Sequence, residues 1–125
     1  MNVLITGGAG YLGSVITRRL LPNHKVTVLD NLLYKQTSLM DVCGNKNFEF
    51  IYGDVRNRKL LLEQVSVNDV IIPLAAIVGF PACENEKSLA TEINYNQVKD
   101  VIDNISPNQM VLYPNTNSGY GSRTD

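Results

Sequence analysis

The 125-residue chain lacks the features that mark several large classes of protein. Its 11 Lys and Arg residues against 12 Asp and Glu residues leave a formal net charge of -1, whereas a nucleic-acid-binding face usually leaves a basic excess. No apolar run reaches the roughly 18 to 20 residues that are needed to cross a bilayer. The N-terminus lacks the basic stretch and long apolar core of a secretion signal. We therefore expect no nucleic acid partner, no membrane insertion and no export.

Metal ligands and disulfide-forming residues are equally scarce. The chain has one His and two cysteines, Cys43 and Cys83, which lie in separate segments without CxxC spacing. One His and two scattered cysteines cannot build a zinc site, so we predict no metal. The sequence favours two reduced, buried thiols in a cytoplasmic protein.

Short β-like runs alternate with longer helix-like runs. Strands are predicted at residues 3–5, 25–29, 48–52, 69–74 and 110–113, and helices at 11–21, 58–65 and 84–105, with a weaker helix at 37–43. Strands that are apolar throughout and separated by helices indicate a parallel sheet that is buried on both faces. The pattern predicts a single doubly wound α/β domain with a ligand at the carboxyl ends of its strands.

A glycine-rich turn follows the first predicted strand. Gly7, Gly10 and Gly13 stand at GxxGxxG spacing. The first glycine permits a tight turn, the second lets the backbone approach a pyrophosphate, and the third lets the new helix pack near the sheet. The N–H groups of Tyr11 and Leu12 would then point at the phosphates from a helix N-terminus.

An acidic residue, Asp30, ends the second predicted strand, 17 residues after Gly13. A carboxylate at this position can accept hydrogen bonds from a ribose diol and would repel a 2′-phosphate. No Lys or Arg follows Asp30 until Lys35, so the sequence favours NAD over NADP. The alternative is a glycine turn and a surface Asp that bind no ligand.

Five motifs follow one another along the chain. They are the turn at residues 7–13, Asp30-Asn31-Leu32, Gly53-Asp54-Val55, Leu74-Ala75-Ala76 and the Ser-Gly-Tyr-Gly of residues 118–121. In this order the chain resembles the extended short-chain dehydrogenase/reductase family, and within it the NAD-dependent epimerase/dehydratase group that acts on nucleotide sugars. The resemblance covers residues 1–121 and implies a Rossmann fold that is truncated after about the fifth strand.

The resemblance also implies how adenine and its ribose would be bound. Asp54 would accept a hydrogen bond from the adenine amino group, and the N–H of Val55 would donate to a ring nitrogen. Asn31, beside Asp30, belongs to the same cofactor-binding set. The alternative for Gly53-Asp54 is a turn at the end of a strand with a capping Asp.

The region after the fourth strand is assigned in the same way. Leu74, Ala75 and Ala76 would pass under the cofactor, where small side chains allow a close approach. The family often has His where this chain has Pro73, and a Pro without an N–H should end the strand there. Asn94 matches a family Asn that braces the sheet near the active site, and we count it with the cofactor-binding residues. The alternative for Asn94 is a solvated position on a helix.

The resemblance places the catalytic hydroxyl at Thr116, four residues before the Tyr of the Tyr120-Gly121 pair, with a second hydroxyl at Ser118. The alternative is an ordinary polar loop. Sugar 4,6-dehydratases tend to have Asp-Glu directly after the catalytic Thr, where this chain has Asn117 and Ser118. An Asn cannot deliver a proton as a carboxylic acid does, which favours epimerisation or simple oxidation–reduction over dehydration.

The family's catalytic Tyr-x-x-x-Lys pair does not occur in the 125 residues. The family places it beyond Gly121, followed by a substrate-binding part. We therefore expect residues 1–125 to be the NAD-binding N-terminal part of a longer enzyme, with the C-terminal substrate domain absent and without activity in isolation.

The leading hypothesis is a nucleotide-sugar epimerase that acts by transient hydride transfer to NAD. The alternatives are a sugar or alcohol dehydrogenase/reductase of the same family and a non-catalytic NAD-sensing module. A homodimer through the 84–105 helix is a further expectation, with packing of that helix on its own sheet as the alternative.

Overall fold

Five parallel strands form the centre of the computed structural model, which describes residues 1–115 apart from the side chain of Phe80. The strands lie in the order β3-β2-β1-β4-β5, and each pair of neighbours is parallel. This order is that of a Rossmann fold, so the predicted doubly wound α/β class is confirmed. The strands are β1 Asn2–Thr6, β2 Lys25–Asp30, β3 Phe48–Tyr52, β4 Val70–Pro73 and β5 Met110–Val111.

Helices cover both faces of the sheet, and the side chains of β1 are apolar on both faces. Leu4 packs in a core with residues of α2 and α5, whereas Val3 and Ile5 pack in a second core against α1. Successive side chains of a strand point to opposite faces, so a strand between two helical layers carries a continuous apolar run. The helices are α1 Tyr11–Leu20, α2 Arg58–Ser66, α3 Phe80–Asn85, α4 Lys87–Thr91 and α5 Gln97–Asn104.

The predicted helix at residues 84–105 differs from the structure, which has three helices and a π-helical turn, Glu92–Asn96. Helical structure already begins at Phe80, after Gly79 at φ 90°, with a Pro in its first turn. It is interrupted at Glu86, whose φ of -130° and ψ of 55° lie outside the helical region. The sequence signal for this start is Gly79-Phe80-Pro81, because Pro is favoured in the first turn of a helix.

The apolar face of this helical stretch packs largely on the sheet of its own chain. Ile93 and Val101 are buried in the core that contains Leu4, while Ile102 is 53% exposed. The alternative of packing on its own sheet therefore accounts for most of this face. The homodimer through residues 84–105 stays a prediction.

Three smaller expectations have different outcomes. The weak helix at residues 37–43 is wrong in extent, since only a 3₁₀ turn, Met40–Val42, forms there. The end of β4 at Pro73 is confirmed. The two thiols are free, but the expectation that both are buried is wrong, because Cys43 is exposed and Cys83 is half-buried.

Within residues 1–115, no helix has the length and apolarity that a membrane span requires.

Candidate functional site

A cleft of about 500 Å³ opens at the edge of the sheet where the parallel strands end. Its walls come from the segments that follow β1, β2, β3 and β4, as expected for this fold. Of the predicted cofactor-binding residues, those that line the cleft are Gly7, Gly10, Tyr11, Leu12, Gly13, Asp30, Asn31, Asp54, Val55, Leu74, Ala75 and Ala76. Ile77 and Val78 line it as well, in a loop that the family resemblance places near nicotinamide and substrate, with a core-packing loop as the alternative. Lining residues that the sequence reasoning did not assign include Leu33, Tyr34, Gln36 and Ile93.

The glycine turn is shaped by close backbone contacts. Gly7 has a φ of +68°, and a Cβ there would lie 2.6 Å from the backbone nitrogen of Ala75. A Cβ on Gly13 would lie 2.6 Å from the Cα of Gly8. A Cβ on Gly10 would meet only the Gly7 carbonyl oxygen, at 3.2 Å. The fold therefore demands glycine at positions 7 and 13 more strictly than at position 10, which also lines the cleft.

The N-terminus of α1 faces the same cleft. Gly10 is its N-cap residue and, having no side chain, accepts no capping hydrogen bond from the first turn. The N–H groups of Tyr11 and Leu12 have no acceptor within the helix, as is general for a first turn. Together with the helix dipole, these donors make the turn suited to an anion such as a phosphate.

Asp30, at the end of β2, is a buried carboxylate held by two backbone N–H groups. Ala9 donates to Oδ2 at 2.9 Å, and Leu32 donates to Oδ1 at 2.8 Å. The side chain thereby joins the end of β2 to the glycine turn, and the residue is 7% exposed. A carboxylate has about four acceptor positions, so two remain for a ligand in the cleft.

Asp54, after β3, is surrounded by donors. Arg56 donates to Oδ1 from its backbone nitrogen at 2.9 Å and from Nε at 3.0 Å, and to Oδ2 from Nη2 at 2.8 Å. Asn31 donates to Oδ2 from Nδ2 at 3.3 Å. The Arg56 side chain is the main reason that the pKa of Asp54 falls from 3.8 to about 2.

The segment after β4 passes close to the glycine turn. The N–H of Leu74 donates to the carbonyl of Thr6 at 3.0 Å, and the N–H of Ala75 lies 3.4 Å from the Thr6 hydroxyl. On its other side, the carbonyl of Ala75 accepts from Nε2 of Gln97 at 3.2 Å. Ala75 and Ala76 both line the cleft, and their small side chains leave the backbone accessible there.

Asn94 lies in the π-helical turn. It is not one of the described residues that line the cleft. Its side chain pairs with the backbone of Ile77, accepting from the N–H at 2.8 Å and donating to the carbonyl at 2.9 Å. Asn94 thus fixes the loop after β4, and its neighbour Ile93 reaches the cleft. Its predicted contact with the cofactor stays a prediction.

The predicted catalytic residues Thr116 and Ser118 lie outside the described residues, together with Asn117 and the Tyr120-Gly121 pair. Between Met1 and Asn115, no group of three His, Cys, Asp or Glu side chains is placed to hold a metal ion.

The strand order, the glycine turn and the cleft at the strand ends place the molecule in the Rossmann class of α/β folds. The chain belongs to the NAD dependent epimerase/dehydratase family, whose family model matches residues 3–125.

Two curated proteins are similar in sequence to this chain. The UDP-N-acetyl-alpha-D-glucosaminuronate decarboxylase of Bacillus cytotoxicus is 29% identical over 123 residues, which cover 97% of this chain and 38% of the relative. The UDP-glucose 4-epimerase of Klebsiella pneumoniae is 42% identical over 67 residues, which cover 50% of this chain and 48% of the relative. The chain spans between 25% and 48% of the length of curated relatives such as these.

A solved structure resembles this chain over its whole length. A double mutant of DesIV, a dTDP-glucose 4,6-dehydratase from Streptomyces venezuelae, was solved with NAD bound. It is 29% identical and superposes with a TM-score of 0.86, covering 100% of this chain and 42% of the dehydratase.

The Asp54–Arg56 pair predicts a specific acid dependence of stability. The native pKa of Asp54 lies below its ordinary value, so the carboxylate stabilises the fold above about pH 4 and this contribution is lost as the pH falls towards about 2. Asp54→Asn should flatten the pH dependence of the unfolding free energy in this window, as measured by urea denaturation at a series of pH values. Asp69→Asn is the control, because Asp69 accepts a backbone N–H at the opposite edge of the sheet. Equal slopes for wild type and Asp54→Asn between these pH values would contradict the prediction.

Proposed function

We propose that the chain is the NAD-binding, N-terminal part of a longer nucleotide-sugar epimerase that works in the cytoplasm. The observation that carries this proposal is the buried carboxylate of Asp30, which lines the cleft and is joined to the glycine turn through Ala9. A carboxylate at this position accepts ribose hydroxyls and disfavours a 2′-phosphate, which is the discrimination that NAD requires.

The cleft fits the parts of NAD in order. The pyrophosphate would lie beside the backbone of Gly10, which lines the cleft. The N–H groups of the first turn of α1 would donate hydrogen bonds to it. Asp30 suits the adenosine ribose, and the Asp54–Val55 turn offers an acceptor beside a donor, which matches the edge of adenine. Ala75 and Ala76 leave room for the remainder of the dinucleotide.

The reaction class is proposed from the family and from two residues of the sequence. When bound, NAD supplies a reversible hydride acceptor for a sugar carbon. Thr116, with Ser118 near it, would hydrogen-bond the reacting oxygen. Asn117 and Ser118 occupy the positions where dehydratases tend to carry Asp-Glu, which favours epimerisation over dehydration. The general base and most of the nucleotide-sugar contacts would come from residues of the longer protein.

Two alternatives make different predictions. A sugar or alcohol dehydrogenase of the same family would accumulate NADH during turnover, whereas an epimerase returns the hydride to its substrate. A non-catalytic NAD-sensing module would bind NAD and turn over no sugar. Absorbance at the NADH band during incubation of the longer protein with sugar identifies a dehydrogenase, and analysis of the sugar product separates an epimerase from a sensing module.

The first prediction from this proposal concerns cofactor choice. The chain should bind NAD more tightly than NADP, because the extra phosphate would approach the buried charge of Asp30. Asp30→Asn, which removes the charge and keeps the size, should reduce this preference by about tenfold. Isothermal titration with both dinucleotides measures it, and Asp69→Asn serves as the distant carboxylate control. Tighter binding of NADP than of NAD by the wild type would refute the role of Asp30.

A second prediction separates the roles of two glycines. Gly10→Ala should lower the melting temperature less than Gly13→Ala, because its Cβ would meet only the Gly7 carbonyl oxygen at 3.2 Å. It should weaken NAD binding by about tenfold or more, since the second glycine of the turn is the one that lets the backbone approach the pyrophosphate. Gly13→Ala should mainly destabilise the fold, because its Cβ would collide with the backbone of Gly8. Thermal unfolding and NAD titration are measured on both variants. Unweakened NAD binding by a folded Gly10→Ala variant would contradict the proposed path of the cofactor.

A third prediction concerns Thr116. In the longer protein, Thr116→Ala should lower kcat by about 100-fold with little change in NAD affinity, because the hydroxyl would act on the substrate oxygen. The measurement is turnover of the nucleotide sugar that the protein accepts, with UDP-glucose as the first probe. Thr91→Ala, on α4, is the matched control. An unchanged rate for Thr116→Ala would remove this residue from the site.

A further inference from the structure

The acceptor positions of Asp54 are distributed unequally between two residues. Arg56 takes three of about four positions, two on Oδ1 and one on Oδ2. The fourth is held by Nδ2 of Asn31 at 3.3 Å, the longest of these contacts. Asp54 and Asn31 line the cleft, whereas the lining contains no atom of Arg56. A ligand in the cleft therefore meets Asp54 at the position that Asn31 now occupies.

The guanidinium of Arg56 also lies near a second carboxylate. Its Nη1 lies 3.5 Å from Oε2 of Glu92, the first residue of the π-helical turn. Arg56 is thus held between two carboxylates from different parts of the chain. Its Nε and Nη2 grip both oxygens of Asp54, the fork geometry that Arg forms with a carboxylate and that Lys cannot reproduce.

We propose that Arg56 is a positioning residue for adenine recognition: it orients the Asp54 carboxylate so that one acceptor position faces the cleft, and the 6-amino group of adenine replaces Asn31 there. This inference rests on the proposed NAD binding and deepens it. Arg56 acts through Asp54 and does not touch the cofactor. The low pKa of Asp54 supports the proposal, because the carboxylate stays ionised and offers only acceptors at neutral pH.

Exchanging adenine for hypoxanthine in the ligand changes the edge that Asp54 and Val55 would contact. In nicotinamide hypoxanthine dinucleotide an oxygen replaces the 6-amino group, and the neighbouring ring nitrogen carries a proton. The oxygen would face the Asp54 carboxylate acceptor to acceptor, and the ring N–H would face the Val55 N–H donor to donor. The ratio of the two dissociation constants therefore reports recognition of the adenine edge, while a general loosening of the cleft changes both constants alike.

The experiment measures both dissociation constants by isothermal titration for the wild type, Arg56→Met, Arg56→Lys and Arg58→Met. Met keeps an unbranched apolar chain like the stem of Arg but has no donors, and Lys keeps the charge without the fork. Arg58→Met is the matched control, because Arg58 pairs with Asp100 at 3.0 Å and is absent from the cleft lining. Circular dichroism confirms that each variant is folded.

The wild type and Arg58→Met should prefer NAD by about tenfold or more, the discrimination expected of one hydrogen bond to a charged acceptor. In Arg56→Met the preference should fall to about threefold or less, and Arg56→Lys should also lose most of it. An unchanged preference in both Arg56 variants, or an equal loss of affinity for the two ligands, would overturn the proposal. If the wild type bound neither dinucleotide, the proposed function itself would fail, and if it bound both equally, adenine recognition by Asp54 would fail.

Discussion

The hydrogen bond from the Ala9 N–H to the Asp30 carboxylate is the interaction on which the cleft depends. It ties the turn after β1 to the end of β2, and a second contact, from the Gly7 N–H to the Leu29 carbonyl at 2.9 Å, repeats this tie. The carbonyl of Ala9 accepts from the Ser38 hydroxyl at 2.6 Å, so both backbone groups of Ala9 are held. The glycine turn is thereby positioned by the protein before any ligand arrives, which lowers the ordering cost of binding.

The opposite wall of the cleft is held from the helical stretch after β4. Asn94 pairs with both backbone groups of Ile77, and Gln97 donates to the carbonyl of Ala75. The π-helical turn that carries Asn94 accommodates one more residue per hydrogen-bonded ring than an α-helix, and such turns are frequent at functional sites. Side chains of this irregular stretch hydrogen-bond the loop after β4, and β4 itself anchors the start of the loop. The loop under the predicted cofactor path is therefore held at both ends.

The sequence predicted those parts of the molecule that depend on local chemistry. The strands follow from short runs rich in apolar and β-branched residues. The position of the cleft follows from Asp30, Asp54 and the glycine turn, which all lie at carboxyl ends of parallel strands. The break at Glu86 was missed because residues 84–88 are polar and contain no Gly or Pro to mark an interruption. The pairing of Asn94 with Ile77 and the grip of Arg56 on Asp54 depend on contacts and side-chain geometry that the sequence pattern does not specify.

The central position of β1 also shapes how the domain assembles. Val3 pairs with Val26 on one side and with the distant Val70 on the other, so the sheet is complete only after a long-range contact has formed. Such non-local pairing slows folding relative to helical bundles of similar size. The turn after β4 meets Gly7 in this paired arrangement, so the contact between the two walls of the cleft depends on the same long-range pairing. A ligand that spans both walls binds only the assembled sheet, and its binding free energy adds to the stability of the whole domain.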